Sequence, residues 1–253
     1  MFNSMLSRAR WSARAAAVAG GLALLIAGAI VPLSGFAAAP ANLCAATDYQ
    51  CVISYGDKAI AARQNALSTL NSRVTEQFTD KRVTASDNAT LTGDISTNES
   101  GLSALKTKLD ADTDATTARA DFRSIYTAFR IYAVVLPRDY HELWLDMVIH
   151  KDGQLVSNET LIRDAINGAP ASVQTQANQL FSDYQTQVTN AQAQTAAALQ
   201  ILPQLTVSAF NANPTAYKTT FGSYKTDIQT AAQDTRAAIY DLHQIVRLLK
   251  SAS

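Results

Sequence analysis

The C-terminal part of the chain carries an apolar repeat with alternating steps of three and four residues, and this repeat restricts the fold more than any other feature. Its members are Tyr217, Phe221, Tyr224, Ile228, Ala231, Thr235, Ala238, Leu242, Ile245 and Leu249. Such spacing places one side chain per turn on the same face of an α-helix. The repeat therefore predicts a helix about 50 Å long that has to bury this stripe against other helices.

The segment 52–111 carries two such runs, of which the first only approximates the spacing and the second follows it. One run consists of Ile60, Leu67, Leu70, Val74 and Phe78, and the other of Leu91, Ile95, Asn98, Leu102, Leu105 and Leu109. Between them, residues 80–82 predict a turn, and Thr84 with Asp87 three residues later matches a capping box. We therefore predict an antiparallel hairpin of two helices over 52–111, with Asn98 setting the register of its seam.

Proline and glycine divide the rest of the chain into further helices. A third helix is predicted from about Asp114 to a kink or end at Pro137, because proline lacks a backbone donor. A fourth helix follows and stops at residues 168–170, and a fifth begins near Ser172. Residues 203–214 are predicted as the one substantial loop before the long final helix.

These segments together predict an all-α protein, an elongated antiparallel bundle of five or six helices with coiled-coil-like heptad packing. About 210 residues can enclose one good core or two small ones, and 42–253 is expected to be a single helical-bundle domain. Within it, 52–111 forms the hairpin, and 112–253 supplies the remaining helices, either in the same bundle or as a sub-bundle.

Residues 1–41 have the layout of a secretory signal peptide. Three arginines precede an apolar stretch over 15–33, and small residues follow up to Ala41. We predict cleavage before Asn42, with an uncleaved membrane anchor as the alternative. The mature chain is then secreted or held in the cell envelope, with no membrane span after cleavage.

The charge of the mature chain excludes one class of protein. Removing the leader takes three of the 21 basic residues and none of the 21 acidic ones, which leaves 18 basic against 21 acidic residues. The basic residues are scattered among acids, whereas a nucleic-acid binder needs a basic face that displaces counterions from phosphate. We therefore expect no nucleic-acid partner.

The two cysteines, Cys44 and Cys51, lie together at the start of the mature chain. In an oxidising compartment they are expected to form a disulfide that acts as a local staple. Seven residues of helix would hold their Cα atoms on the order of 10 Å apart, which is beyond disulfide reach. The first helix is therefore predicted to begin after Cys51.

Several short runs of this sequence resemble a group of exported, Ala-rich helical proteins of actinobacteria. The runs are GLSALK at 101–106, DADTD at 110–114, RSI at 123–125, RIY at 130–132, VLP at 135–137 and IVRLLK at 245–250. The resemblance implies a Gram-positive secretory context and a helical bundle. It carries no catalytic residue over to this chain.

Alternate acids between the second and third helices form a candidate calcium site. Asp110, Asp112 and Asp114 are spaced like the first ligands of a calcium loop, and Asp121 falls at its twelfth position. Ala115, however, stands where the sharp turn needs glycine, and Asp121 is shorter than the customary glutamate. The simpler interpretation is that these acids end one helix and cap the next, so no metal site is assigned.

His141, Glu142 and Asp146 form a second candidate, with Asp139, Trp144 and His150 nearby. A zinc site needs at least three ligands, and Leu145 stands where the HExxH motif has its second histidine. An exposed polar face of the fourth helix accounts for the same residues. No G-x-S-x-G elbow occurs, and neither cysteine adjoins a histidine, so no catalytic or cofactor-binding residue is assigned.

The sequence also has an aromatic band around Pro137, and it is either core or the wall of a pocket for an apolar ligand. The band consists of Phe122, Tyr126, Phe129, Tyr132, Tyr140 and Trp144. The leading hypothesis for function is an exported, non-enzymatic protein that acts through contacts with another protein or an envelope component. The alternatives are a protein that binds calcium or zinc, and a secreted carrier of an apolar ligand.

Overall fold

The structure, a computed structural model, describes residues 44–252, and all the regular elements in that part of the chain are helical. The elements are α1 (Tyr49–Thr79), α2 (Ala85–Asp110), α3 (Ala115–Thr127), a π-helical turn (Ile131–Val135), α4 (Leu136–Asn167), α5 (Ala171–Ile201), a 3-10 turn (Leu202–Gln204), α6 (Val207–Ala212) and α7 (Pro214–Ser251). The predicted all-α helical bundle is therefore confirmed. The predicted signal peptide, 1–41, and its cleavage point lie outside the described residues.

The described residues divide into two compact units. The first unit comprises 44–147 and 198–226, and the second comprises 148–197 and 227–252. Helices α4, α5 and α7 each contribute residues to both units. The single domain over 42–253 and its division at residue 111 stay predictions.

In the first unit, α1 and α2 form the predicted hairpin. Lys106 Nζ contacts Asp57 Oδ1 at 2.5 Å, and Gln64 Nε2 donates to Ser103 Oγ at 2.9 Å. The two helices therefore run in opposite directions. Helix α3 packs on both. The largest fully buried side chains of this core are Ile60, Leu67, Leu70, Leu91, Ile95, Leu102, Leu109, Ile125 and Ile131. Their burial supplies the hydrophobic free energy that holds the three helices together.

The core of the second unit lies among parts of α4, α5 and α7. Its most buried apolar residues are Leu155, Ile162, Ile166, Ala177, Tyr184, Val188, Ala238 and Ile245. The Tyr184 hydroxyl donates a hydrogen bond of 2.6 Å to the Leu155 carbonyl, so this polar atom is satisfied within the core.

The heptad repeats predict burial well, and Phe78 is the one predicted position whose side chain is exposed. Nine of the ten predicted positions on α7 are buried, and Phe221 is half-buried. Phe78, predicted in the α1 seam, is instead 41% exposed because α1 ends one residue later and its last turn passes beyond the hairpin contact. Asn98 is half-buried and donates to the Asp94 carbonyl of its own helix, so its register role stays a prediction.

The predicted start of α2 is confirmed, and the predicted start of α1 is wrong. Thr84 accepts from the Asp87 amide while Asp87 accepts from the Thr84 amide, which is the predicted capping box. Helix α1 begins at Tyr49 rather than after Cys51, with Asp48 accepting from the Cys51 amide. The disulfide needs only Cys44 to lie outside the helix, because the residues before Asp48 turn back towards the first helical turn.

The third predicted helix is also interrupted earlier than expected. Helix α3 ends at Thr127, and Arg130 takes a left-handed conformation with φ of 48° before the π-helical turn. Pro137 lies in the first turn of α4, ten residues after the end of α3, so it does not mark the end of that helix.

Two further predicted boundaries lie at 168–172 and 203–214. The stop at 168–170 and the start of α5 near Ser172 are confirmed. The prediction of a plain loop over 203–214 is wrong, because this segment contains α6. The Thr206 hydroxyl caps the first residues of that helix. Within residues 44–252, no helix is both long and apolar enough to cross a bilayer.

Candidate functional sites

The predicted pair Cys44–Cys51 forms a disulfide, with 5.8 Å between the two Cα atoms. Arg119 of α3 holds the loop that contains Cys44, since its Nη2 donates to the carbonyls of Cys44 at 3.1 Å and Ala45 at 2.8 Å. The disulfide and this guanidinium together fix the start of the described chain to the hairpin and α3. The sequence predicts the bridge, but it gives no signal for the long-range partner Arg119.

The four aspartates proposed for calcium are divided among structural roles. Asp114 caps α3 by accepting from the amides of Thr116 and Thr117, and these bonds lower its pKa. Asp110 pairs with Lys106 at 2.9 Å, and the buried Asp121 pairs with Lys108 at 2.7 Å. The predicted capping role is confirmed for Asp114.

Asp112 lies between these groups. Its pKa is raised by desolvation and by the charge of Asp121. Across the residues that the structure describes, no three side chains of His, Cys, Asp or Glu are placed to hold a metal ion. Asp110 and Asp121 therefore form ion pairs and Asp114 caps a helix, so these three side chains do not converge on one point.

The predicted exposed face of the fourth helix is wrong. Asp139 is 0% exposed and Glu142 is 9% exposed, while His141 and Asp146 are half-buried. The reason is that this part of α4 is enclosed within the first unit, with polar groups of α2 on one side and rings of α7 on another. We call Asp139, Glu142 and Asp146, which follow one another at steps of three and four residues, the carboxyl stripe.

Arg138 connects the carboxyl stripe to α2. Its Nε donates to Asp139 Oδ1 at 2.6 Å, and its Nη2 donates to Asp94 Oδ2 at 2.9 Å. One guanidinium is therefore shared by two carboxylates. The seven ion pairs among the described residues include neither Glu142 nor Asp146.

Burial controls the protonation of the carboxyl stripe. Desolvation raises the pKa of Asp139 to about 6, against the opposing effect of Arg138. It raises the pKa of Glu142 to about 7 and that of Asp146 to about 8, helped by neighbouring carboxylates. Two of these three carboxyls are therefore substantially protonated near neutral pH.

His141 has a structural environment. Its Nδ1 donates to the Pro137 carbonyl at 2.7 Å, and its ring meets Phe221 edge-on with 5.2 Å between centroids. Burial lowers the pKa of His141, so the ring is neutral at pH 7. Trp144 is half-buried with an indole nitrogen that has no hydrogen-bond partner, and His150 belongs to the second unit.

Five members of the aromatic band pack against the core of the first unit: Phe122, Tyr126, Phe129, Tyr132 and Tyr140. The space between two of them is taken by Arg63, whose Cζ lies 4.4 Å from the ring centroid of Tyr126 and 5.1 Å from that of Tyr132. Arg63 is 7% exposed and donates to the Ala59 carbonyl. The cation–π contacts compensate part of the cost of burying this charge.

In the second unit, the last turns of α7 present a basic surface. Arg236, Tyr240, His243 and Arg247 recur at steps of four, three and four residues and form what we call the basic face. Tyr240 is 59% exposed, the highest value among the large apolar side chains of the described chain. The apolar repeat of α7 occupies the opposite, buried side of this helix, so it gives no signal for the basic face.

A shallow groove adjoins the basic face. It has a volume of about 280 Å³ and is lined by Gln176, Leu180, Gln244, Arg247, Leu248 and Ser251. Leu180 comes from α5 and Leu248 from α7, so two leucines form its apolar part and two glutamine amides its polar part. Arg247 belongs to both the groove and the basic face.

The fold places the protein in the all-α class. A disulfide ties the start of its first helix, and the basic face lies on its last helix. Comparison with protein-family models, with curated proteins and with solved structures finds no match. The resemblance to exported actinobacterial proteins stays a prediction.

Proposed function

We propose that this protein acts outside the cytoplasm as a non-enzymatic helical protein, and that it binds a protein partner through the basic face of α7. The observation that carries the proposal is Tyr240, exposed by 59% between Arg236 and Arg247. Neither arginine forms an ion pair with a described residue. Tyrosine and arginine are the residues most enriched where binding energy concentrates.

The partner is an acidic, amphipathic helix. Charge complementarity supports this choice, because the basic face carries two arginines over about 16 Å and no acid among its four members. The leucines of the groove offer an apolar contact beside those charges. A helix with carboxylates on one side and leucines on the next meets both requirements at once.

The disulfide supports a location outside the cytoplasm, since such bridges persist in oxidising compartments. The predicted signal peptide and the resemblance to exported proteins point the same way. Secretion or retention in the cell envelope is accordingly part of the proposal.

Site-specific photocrosslinking in cells tests the contact. A photoreactive phenylalanine analogue replaces Tyr240 in the full chain, with Tyr55 of α1, exposed by 37%, as the matched control position. We expect a discrete adduct in the extracytoplasmic fraction from position 240, absent from position 55, and abolished by Arg236→Glu together with Arg247→Glu. Identical adducts at both positions, or a protein confined to the cytoplasm, would contradict the proposal.

A defined probe tests the chemistry of the partner. The probe is a synthetic amphipathic helix with glutamates on one side and leucines beside them, and its control carries lysines in place of the glutamates. Fluorescence anisotropy should show binding of the acidic peptide alone, weakened about tenfold by the double arginine reversal. Added salt should weaken it as well. Equal binding of both peptides would rule out an acidic partner.

A further inference from the structure

The carboxyl stripe holds more negative charge than the groups around it can compensate. Asp139 is fully buried, Glu142 is 9% exposed and Asp146 is half-buried, all on one side of α4. An ionised carboxylate in this position lacks the hydration that it has in water, and its surroundings do not supply equivalent partners. The arrangement is therefore stable only while most of the stripe is neutral.

The groups that face or flank the stripe come from four helices. They are Asp87 and Asp94 of α2, Arg138 and His141 of α4, Tyr217, Tyr224 and Lys225 of α7, and Arg73 of α1 beside Tyr140. Arg138 is engaged by Asp94 and Asp139, and Lys225 acts on His141 rather than on the stripe. The charge of Arg138 lowers the pKa of Glu142, but neither Glu142 nor Asp146 forms an ion pair with a described residue, and their other neighbours are carboxylates and phenols.

The first turns of α7 supply a second observation. Among the residues that the structure describes, the buried hydroxyls of Tyr217 and Tyr224 have no hydrogen-bond partner, and neither does Oδ2 of Asp139. Tyr224 is 0% exposed, and burial together with the charges of Glu142 and Asp146 raises its pKa. Helix α4 and this part of α7 therefore meet through polar groups whose hydrogen bonding depends on which carboxyls hold a proton.

We propose that the carboxyl stripe is a pH-responsive contact, closed onto the first turns of α7 when its carboxyls are protonated and loosened when they ionise. This inference goes beyond the proposed function, since it concerns residues 136–147 and 214–226 of the first unit. A neutral carboxyl packs beside the tyrosines and has a proton to donate. An ionised stripe repels itself and Asp94, and it draws water into the contact.

The sign follows from the protonation equilibria. Burial raises each pKa above that of the unfolded chain, to about 6, 7 and 8 for Asp139, Glu142 and Asp146. The folded state thus binds more protons than the unfolded state from about pH 4 upwards. The contact is strongest below about pH 4 and weakens progressively as the pH rises from there to about pH 8, where the last of the three carboxyls ionises in the folded state.

Hydrogen exchange of the full chain tests the proposal. After correction for intrinsic exchange rates, amides of 214–226 should be protected about tenfold less at about pH 9 than at about pH 5. The combined variant Asp139→Asn, Glu142→Gln and Asp146→Asn should remove this dependence. Asp152→Asn, which neutralises a buried carboxyl of the second unit, is the matched control and should leave it unchanged.

A second measurement covers the case in which the combined variant does not fold. Infrared difference spectroscopy of the unaltered protein detects protonated carboxyls directly, and Glu142→Gln alone identifies one of them. The expected result is a carboxylic-acid band that disappears between pH 6 and 8 and is smaller in Glu142→Gln. Protection of 214–226 that does not change with pH, or no such band near neutral pH, would overturn the proposal.

Discussion

Two glycines of α2 provide a matched pair with opposite expected effects. Gly93 is exposed, and a Cβ built there meets no atom within 4 Å. A Cβ at Gly101 would lie 2.6 Å from Cε1 and 3.0 Å from Cζ of Phe129. Alanine in a helix interior is favoured over glycine by about 1 kcal/mol, so Gly93→Ala should stabilise the protein by that amount.

Gly101→Ala receives the same benefit but forces the Phe129 ring to move. Overpacking of this kind costs about 1–3 kcal/mol, so the net effect is between about zero and 2 kcal/mol of destabilisation. Urea unfolding followed by circular dichroism measures both variants against the unaltered chain. In a Phe129→Leu background, the ring is gone and Gly101→Ala should stabilise as Gly93→Ala does. Equal stabilisation by both alanines in the original background would refute the close approach of α2 to Phe129.

Three further predictions concern individual contacts. Asp114→Ala should lower the free energy of unfolding through loss of the α3 cap, whereas Asp110→Ala, which removes only an exposed ion pair, should lower it less in the same urea titration. Replacing Cys44 and Cys51 by serine should cost about 2 kcal/mol, and a thermal melt no lower than that of the disulfide-bonded chain would contradict this. Burial raises the pKa of Asp152 to about 6, so its contribution to stability falls as the pH rises from about 4 to 6; Asp152→Asn should flatten that part of a pH series of unfolding midpoints, and an unchanged slope would count against it.

The spacing of apolar residues and the helix-capping motifs predict most of the fold, because both are local features of the sequence. The stripe from Tyr217 to Leu249 is buried as its spacing requires, and Thr84 with Asp87 begins α2 where the motif predicts. The break after Thr127 was not predictable in the same way. It depends on Asn211, whose Nδ2 donates to the Thr127 carbonyl and whose Oδ1 accepts from Arg130 Nε, 81 residues away in the chain. A contact over that distance leaves no periodic signal near the break.

The carboxyl stripe illustrates a different limit, and here the sequence did contain a usable signal. Polar residues at steps of three and four usually mark the solvent side of a helix, and on that ground the sequence predicts an exposed face for Glu142 and Asp146. Yet Leu143 and Leu145 point about 160° apart on α4, and both are buried, at 6% and 0% exposure. A helix that is apolar on opposite sides is enclosed on both, so polar residues between those sides are enclosed as well. Their ionisation is then part of the folding equilibrium, and the proposed response of residues 214–226 to pH rests on this linkage.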